Sequence, residues 1–99
     1  MRLFIAESAW ESLDRLQRYW LQFNSDEKVQ ARVDRLLEEA LWLSEWPGAG
    51  AQEVFMRHRG KVYRRWVVGN VKIIYRVVGD ELRIYVFFDA RQHPRRMKG

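Results

Sequence analysis

The chain contains no cysteine. A disulfide framework and a thiolate metal site are both excluded, and the composition suits a reducing compartment. Proline occurs twice and glycine six times in 99 residues, always as scattered turn residues, so no glycine-rich phosphate loop can be assembled. No apolar run approaches transmembrane length. The N-terminus meets an acid at Glu7 and has no apolar signal core, so neither an export peptide nor a membrane partner is expected. The only serines are Ser8, Ser12, Ser25 and Ser44, all read as helix or cap residues, which makes a nucleophile triad hard to build. The two histidines, His58 and His93, do not sit at metal-ligand spacing with carboxylates. No metal and no cofactor are expected. Acids are scarce in the second half: residues 54–99 hold 12 Lys/Arg and 3 Asp/Glu, a balance of +9, whereas residues 1–53 hold 6 and 10, a balance of −4. The carboxylate pairs Asp26-Glu27 and Glu38-Glu39 read as helix-start or solvated helix charges.

The length fits one domain, residues 1–99, with one core. Five Trp, four Tyr and five Phe are a heavy aromatic load, more than a small core needs. Arg2 to Ala6 is short, apolar and β-capable. Ser8-Ala9-Trp10-Glu11 has the capping-box pattern, which places Ser8 at the start of a helix. Trp10, Leu13, Leu16, Trp20 and Phe23 recur at helical spacing. Asn24-Ser25-Asp26 interrupts that pattern and caps a second helix with the stripe Val29, Val33, Leu36, Leu37, Ala40 and Leu41. The short connection makes the two an antiparallel hairpin. Trp46 to Gly50 is a Pro/Gly loop, Glu53 to Arg57 a candidate strand, and His58-Arg59-Gly60 a turn.

Val62 to Phe88 reads as three strands joined by two-residue turns, Gly69-Asn70 and Gly79-Asp80. Pairing Val68 with Val71 sets Trp66 opposite Ile73 and Arg64 opposite Tyr75. Pairing Val78 with Glu81 sets Val77 opposite Leu82, Tyr75 opposite Ile84 and Ile73 opposite Val86. Side chains alternate with period two, so the faces separate. One carries Trp66, Val68, Val71, Ile73, Tyr75, Val77, Leu82, Ile84, Val86 and Phe88, with Arg64 as its one charge. The other carries Tyr63, Arg65, Val67, Lys72, Ile74, Arg76, Arg83, Tyr85 and Phe87, cations among aromatics without an acid. A strand, two helices and a run of strands indicate an α+β fold: an N-terminal strand and a helical hairpin on one face of an antiparallel sheet. The hairpin should cover the apolar face, burying Trp10, Leu13, Leu16, Val33, Leu37, Ile73, Tyr75 and Ile84.

The other face would stay open. Its cations, with Arg91 and His93 just beyond the last strand, suit phosphate or an acidic partner. His93 has the chemistry of a general acid or base near neutral pH. Tyr63, Tyr85 and Phe87 offer rings for stacking on unpaired bases.

Tyr63-Arg64-Arg65-Trp66-Val67-Val68-Gly69-Asn70-Val71-Lys72-Ile73-Ile74-Tyr75-Arg76-Val77, then Gly79-Asp80, then Phe88-Asp89-Ala90-Arg91-Gln92-His93-Pro94, resembles the C-terminal half of the RelE/ParE toxin superfamily. The strand, helical hairpin and Pro47-Gly48 loop resemble its N-terminal half. The resemblance implies the toxin of a bacterial type II toxin–antitoxin pair. Such toxins are small, basic and cytoplasmic, and are neutralised by a cognate antitoxin. Here the expected antitoxin is acidic and partly disordered. RelE-like members cut messenger RNA on the ribosome, with cations and a general acid or base. ParE-like members share the fold, lack that set and inhibit DNA gyrase. At the position where RelE-like enzymes usually carry Arg, this chain has Lys72. Arg91 matches the family's cation after the last strand. The C-terminal Tyr of many of the ribonucleases is missing, with His93 the nearest substitute.

Three expectations follow. The first is a ParE-like toxin acting by binding, with gyrase as target and Arg65, Lys72, Arg76, Arg83, Tyr85, Phe87 and Arg91 contacting target or antitoxin. The second is a RelE-like endoribonuclease using Lys72, Arg91 and His93. The third is a small basic nucleic-acid-binding module.

Overall fold

The computed structural model describes residues 1–54 and 60–91. The fold is α+β. In chain order the elements are β1 (Arg2–Ile5), α1 (Glu7–Leu21), α2 (Asp26–Glu45), β2 (Ala51–Gln52), β3 (Arg64–Val68), β4 (Val71–Val78) and β5 (Glu81–Asp89). The five strands form one sheet in the order β1-β5-β4-β3-β2. The sheet is mixed rather than wholly antiparallel: β1 lies parallel to β5, from Arg2 opposite Glu81 to Ile5 opposite Ile84. No described helix is long and apolar enough to cross a membrane.

Of the strand expected over Glu53–Arg57, the described residues Glu53 and Val54 are not in a strand; just before them Ala51–Gln52 pairs with Arg65 and Arg64. The pairing carries on into Glu53, whose amide donates to the Tyr63 carbonyl at 2.8 Å. Phe55–Arg57 and the first two residues of the expected turn, His58 and Arg59, lie outside the described residues.

Both hairpin turns stand where the sequence puts them. Gly69 and Gly79 take φ of +59° and +61°, while Asn70 and Asp80 do not have positive φ. A positive φ at the first central residue alone is the type II′ pattern, which matches the twist of the flanking strands. The β3–β4 register is as expected, with Arg64 opposite Tyr75, Trp66 opposite Ile73 and Val68 opposite Val71. Along β4–β5 the expected register holds from the turn as far as Tyr75 opposite Ile84. The next pair is Ile74 with Val86, so Tyr85 is an extra residue in β5. Such a bulge flips every later side chain to the other face. Ile73 therefore meets Phe87, not Val86.

Helix α1 supplies the cause. β1 ends at Ile5, and its last backbone bond runs from the Ala6 amide to the Ile84 carbonyl. Beyond it, the Ser8 hydroxyl donates to the Tyr85 carbonyl at 2.7 Å. The buried Ser12 hydroxyl accepts from the Phe87 amide at 2.9 Å and donates to the Ala9 carbonyl at 2.7 Å. Two serines one helical turn apart thus take over backbone groups at the bulge, where an unpaired buried amide would be costly. This overturns the reading of Ser8 as a cap. The helix begins at Glu7 with Ala6 at the N-cap and no side-chain cap. Ser25 does cap α2, accepting from the Lys28 amide at 3.3 Å.

The core lies between the helical hairpin and one sheet face. Ala9, Leu13, Leu16 and Trp20 of α1 and Val29, Val33, Leu36, Ala40 and Leu43 of α2 pack on Val71, Ile73, Tyr75, Leu82, Ile84 and Phe87. Two expected core residues differ. Trp10 is 47% exposed, because the face holding Ser8, Ala9 and Ser12 is the one turned to the sheet. Leu37 is half-buried at the core's margin, and Leu41 of the expected stripe is exposed.

Candidate functional site on the open sheet face

Opposite the hairpin, Tyr63, Ile74, Val86 and Phe88 form a second, smaller buried cluster with Tyr85 packed against it. The Tyr63 and Tyr85 rings meet edge to face at 5.7 Å between centroids. The cations surround this cluster, held by strand alternation on β3, β4 and β5. Phe87, expected among them, is not on this face. The bulge turns it inward, where it is 2% exposed among the helix-facing residues. Val86 and Phe88, expected beneath the helices, take its place.

The cations do not stand alone. Lys72 Nζ lies 3.6 Å from Glu53 Oε2, and Glu53 is 1% exposed. A face read as free of acids therefore holds a buried carboxylate, brought in by the β2–β3 pairing. Arg83 donates to Glu81 Oε1 from Nε at 3.1 Å and Nη2 at 2.9 Å. The Arg65 guanidinium donates to the Gln52 carbonyl. Arg91, just past β5, forks onto Asp89 through Nε at 3.0 Å and Nη2 at 2.8 Å, and its amide also donates to Oδ1 at 2.9 Å. These bonds from Arg91 hold the Asp89 carboxyl below its ordinary pKa, against the opposing effect of burial.

Arg76 differs from its neighbours. It stands directly across from Arg83 in the β4–β5 ladder, a like-charged pair. Its guanidinium carbon is 5.6 Å from the centre of the Tyr63 ring. Among the described residues no carboxylate pairs with Arg76, and its buried Nε has no hydrogen-bond partner. A cation over an aromatic face is attracted by the ring quadrupole, which holds the charge without neutralising it.

The structure brings Arg65, Lys72, Arg76, Arg83 and Tyr85 to one sheet face. Arg91, expected at the edge of that face, is instead tied to Asp89, which stands opposite the core residue Val71 on the hairpin side. His93 lies outside the described residues. Sequence reasoning missed Glu53 and Glu81. Glu81 was readable, since alternation puts it on the same face as Arg83, two residues on. Glu53 was not, because its place depends on a two-residue strand.

The chain matches no protein-family model and has no significant match among curated proteins.

Proposed function

We propose that this chain is the toxin of a bacterial type II toxin–antitoxin pair, ParE-like, arresting growth by binding an essential cytoplasmic target such as DNA gyrase. The observation that carries the reading is the state of the cations. Lys72 and Arg91, which a RelE-like nuclease would use for transition-state charge, are each engaged by a carboxylate, Glu53 and Asp89. Arg76 is held charged over Tyr63 without such a partner among the described residues. Catalysis needs preorganised charge aimed at the reacting phosphate. Docking needs an unneutralised cation beside apolar and aromatic surface. The order of strand, helical hairpin and sheet agrees with the layout that the family resemblance implies, which is support by analogy of fold.

The partner on this reading is an acidic, partly disordered antitoxin laid across the open face. It gains Coulomb energy against Arg76 and covers Tyr85. The test is to induce the chain in a bacterium and follow DNA supercoiling and protein synthesis in parallel. Supercoiling should change before synthesis falls. Early arrest of synthesis with cleaved messenger would give the function to the ribonuclease reading instead.

A further inference from the structure

On the helix side of the sheet, a groove of about 350 Å³ lies between the N-terminal half of α2 and the β3–β4 turn. Ala31, Leu36, Val68 and Val71 supply its apolar walls, Gly69 also lines it, and Arg32 and Arg35 supply its charge. The two arginines are three residues apart, which puts them on one helix face with Cβ atoms about 5–6 Å from each other. They differ in their restraints. The Arg32 guanidinium lies 3.8 Å from the centre of the Trp20 ring. It makes no direct ion pair among the described residues, although its charge reaches the Asp89 carboxyl, which Arg91 already engages. Trp20 is buried, and its Nε1 is without a hydrogen-bond partner among the described residues. Arg35 meets Glu39 through Nε at 3.3 Å, an exposed contact that leaves its Nη donors for other use.

We propose that this groove is a phosphate-ester site of mononucleotide size, with Arg32 and Arg35 holding the phosphate oxygens and the apolar walls taking the organic part. Stacking fixes the plane of Arg32 before any ligand arrives, so less side-chain freedom is lost on binding. A planar guanidinium with its donors unspent matches phosphate oxygens in pairs. The volume is at the low end for small-molecule sites, which suits a ligand of mononucleotide size. The groove shares no residue with the open face, and the site stands whether or not the chain is a toxin. The ester has two possible sources, a free nucleotide or one phosphate of a nucleic-acid strand, with the same chemistry at the arginines.

Cytidine 5′-monophosphate, cytidine and a single-stranded hexanucleotide should be titrated into the whole chain, with binding followed by tryptophan fluorescence and by amide chemical shifts. The monophosphate or the hexanucleotide should bind, cytidine should not, and the shifts should gather on Ala31, Gly69 and Val71. Tighter binding of the monophosphate makes the ligand a free nucleotide; tighter binding of the hexanucleotide makes it a strand. Arg32→Gln should weaken binding at least tenfold and Arg35→Gln measurably, while Arg76→Gln leaves it unchanged. Shift mapping on the unaltered chain decides the matter even if Arg32→Gln fails to fold. Equal binding of cytidine, shifts centred on Arg76 and Arg83, or no binding at millimolar ligand would each overturn the site.

Discussion

The Tyr75 hydroxyl, wholly inside the protein, accepts from the Gly50 amide at 2.9 Å and donates to the Pro47 carbonyl at 2.8 Å. One side chain from the middle of β4 thereby anchors the loop that leaves α2 and enters β2. The Gly50 carbonyl in turn accepts from Arg64 Nη1 at 2.8 Å. Close approach explains the glycine. A Cβ on residue 50 would fall against the Tyr75 hydroxyl and 2.6 Å from the Arg65 carbonyl oxygen. Tyr75→Phe leaves the buried Gly50 amide and the partly buried Pro47 carbonyl without this partner and should destabilise by about 1–3 kcal/mol. Gly50→Ala should cost more, since backbone must move. Urea midpoints measure both; a Gly50→Ala midpoint equal to wild type would show that the loop is not tied to the sheet.

Burial raises the Tyr75 pKa above its ordinary value, with the Gly50 amide and Arg64 acting in the opposite direction. The neutral phenol is favoured in the folded chain. Its stabilisation is present below the unfolded pKa of about 10 and is lost as pH rises through the folded value. Alkaline unfolding should be less steep in Tyr75→Phe. An unchanged alkaline limb would rule Tyr75 out as its source.

At the acid end the sign reverses. The folded pKa of Asp89 is depressed, chiefly by its hydrogen bond from Arg91. The resulting stabilisation is present above the unfolded value of about 3.9 and disappears as pH falls through the folded one. Asp89→Asn should lower the urea midpoint at pH 7 and flatten its decline toward pH 2. A parallel decline in both proteins would place the acid sensitivity elsewhere.

The limit of what the sequence reveals is visible in β5. Gly69 and Gly79 announce turns of definite geometry, so the register near each turn could be counted out residue by residue. Ile73, Tyr75 and Ile84 are accordingly buried as expected. The count fails at Tyr85, where the register depends on hydroxyl groups from a helix more than 70 residues away in sequence. Nothing local to Arg83-Ile84-Tyr85-Val86 encodes a bulge. The same serines explain the exposure of Trp10, because a helix face chosen by two hydrogen bonds to a strand is invisible to apolar periodicity. On the open face the cations were legible from alternation. The carboxylate opposite Lys72 was not, since it enters from β2.

Ser12→Ala tests that account. It leaves the buried Phe87 amide without its partner and should destabilise by about 1–3 kcal/mol. Ser8→Ala removes a donor to the Tyr85 carbonyl at a partly exposed site and should cost less. Because both act on one bulge, the double variant should depart from additivity. Strictly additive losses would mean that the bulge stands without them.

The functional prediction turns on the difference between Arg76 and Arg83. Glu81 already answers Arg83 through two hydrogen bonds, so much of that charge is spent within the chain. Arg76 has the Tyr63 ring and, among the described residues, no acid. Reversing each to Glu should therefore weaken the antitoxin unequally, Arg76→Glu more than Arg83→Glu, and Arg76→Glu should also flatten the dependence of affinity on salt. On the same reading Arg91→Ala weakens target docking. His93→Gln leaves toxicity nearly intact, because binding needs no proton transfer, whereas loss of a general acid or base typically slows a reaction by about 10²–10⁴-fold. Calorimetric titration of the antitoxin at two salt concentrations separates the arginines, and growth arrest on induction reads Arg91 and His93. If Arg83→Glu proves the more damaging, the partner displaces Glu81 and docks along β5. If His93→Gln abolishes messenger cleavage on purified ribosomes, the open face is a catalytic surface and the binding reading falls.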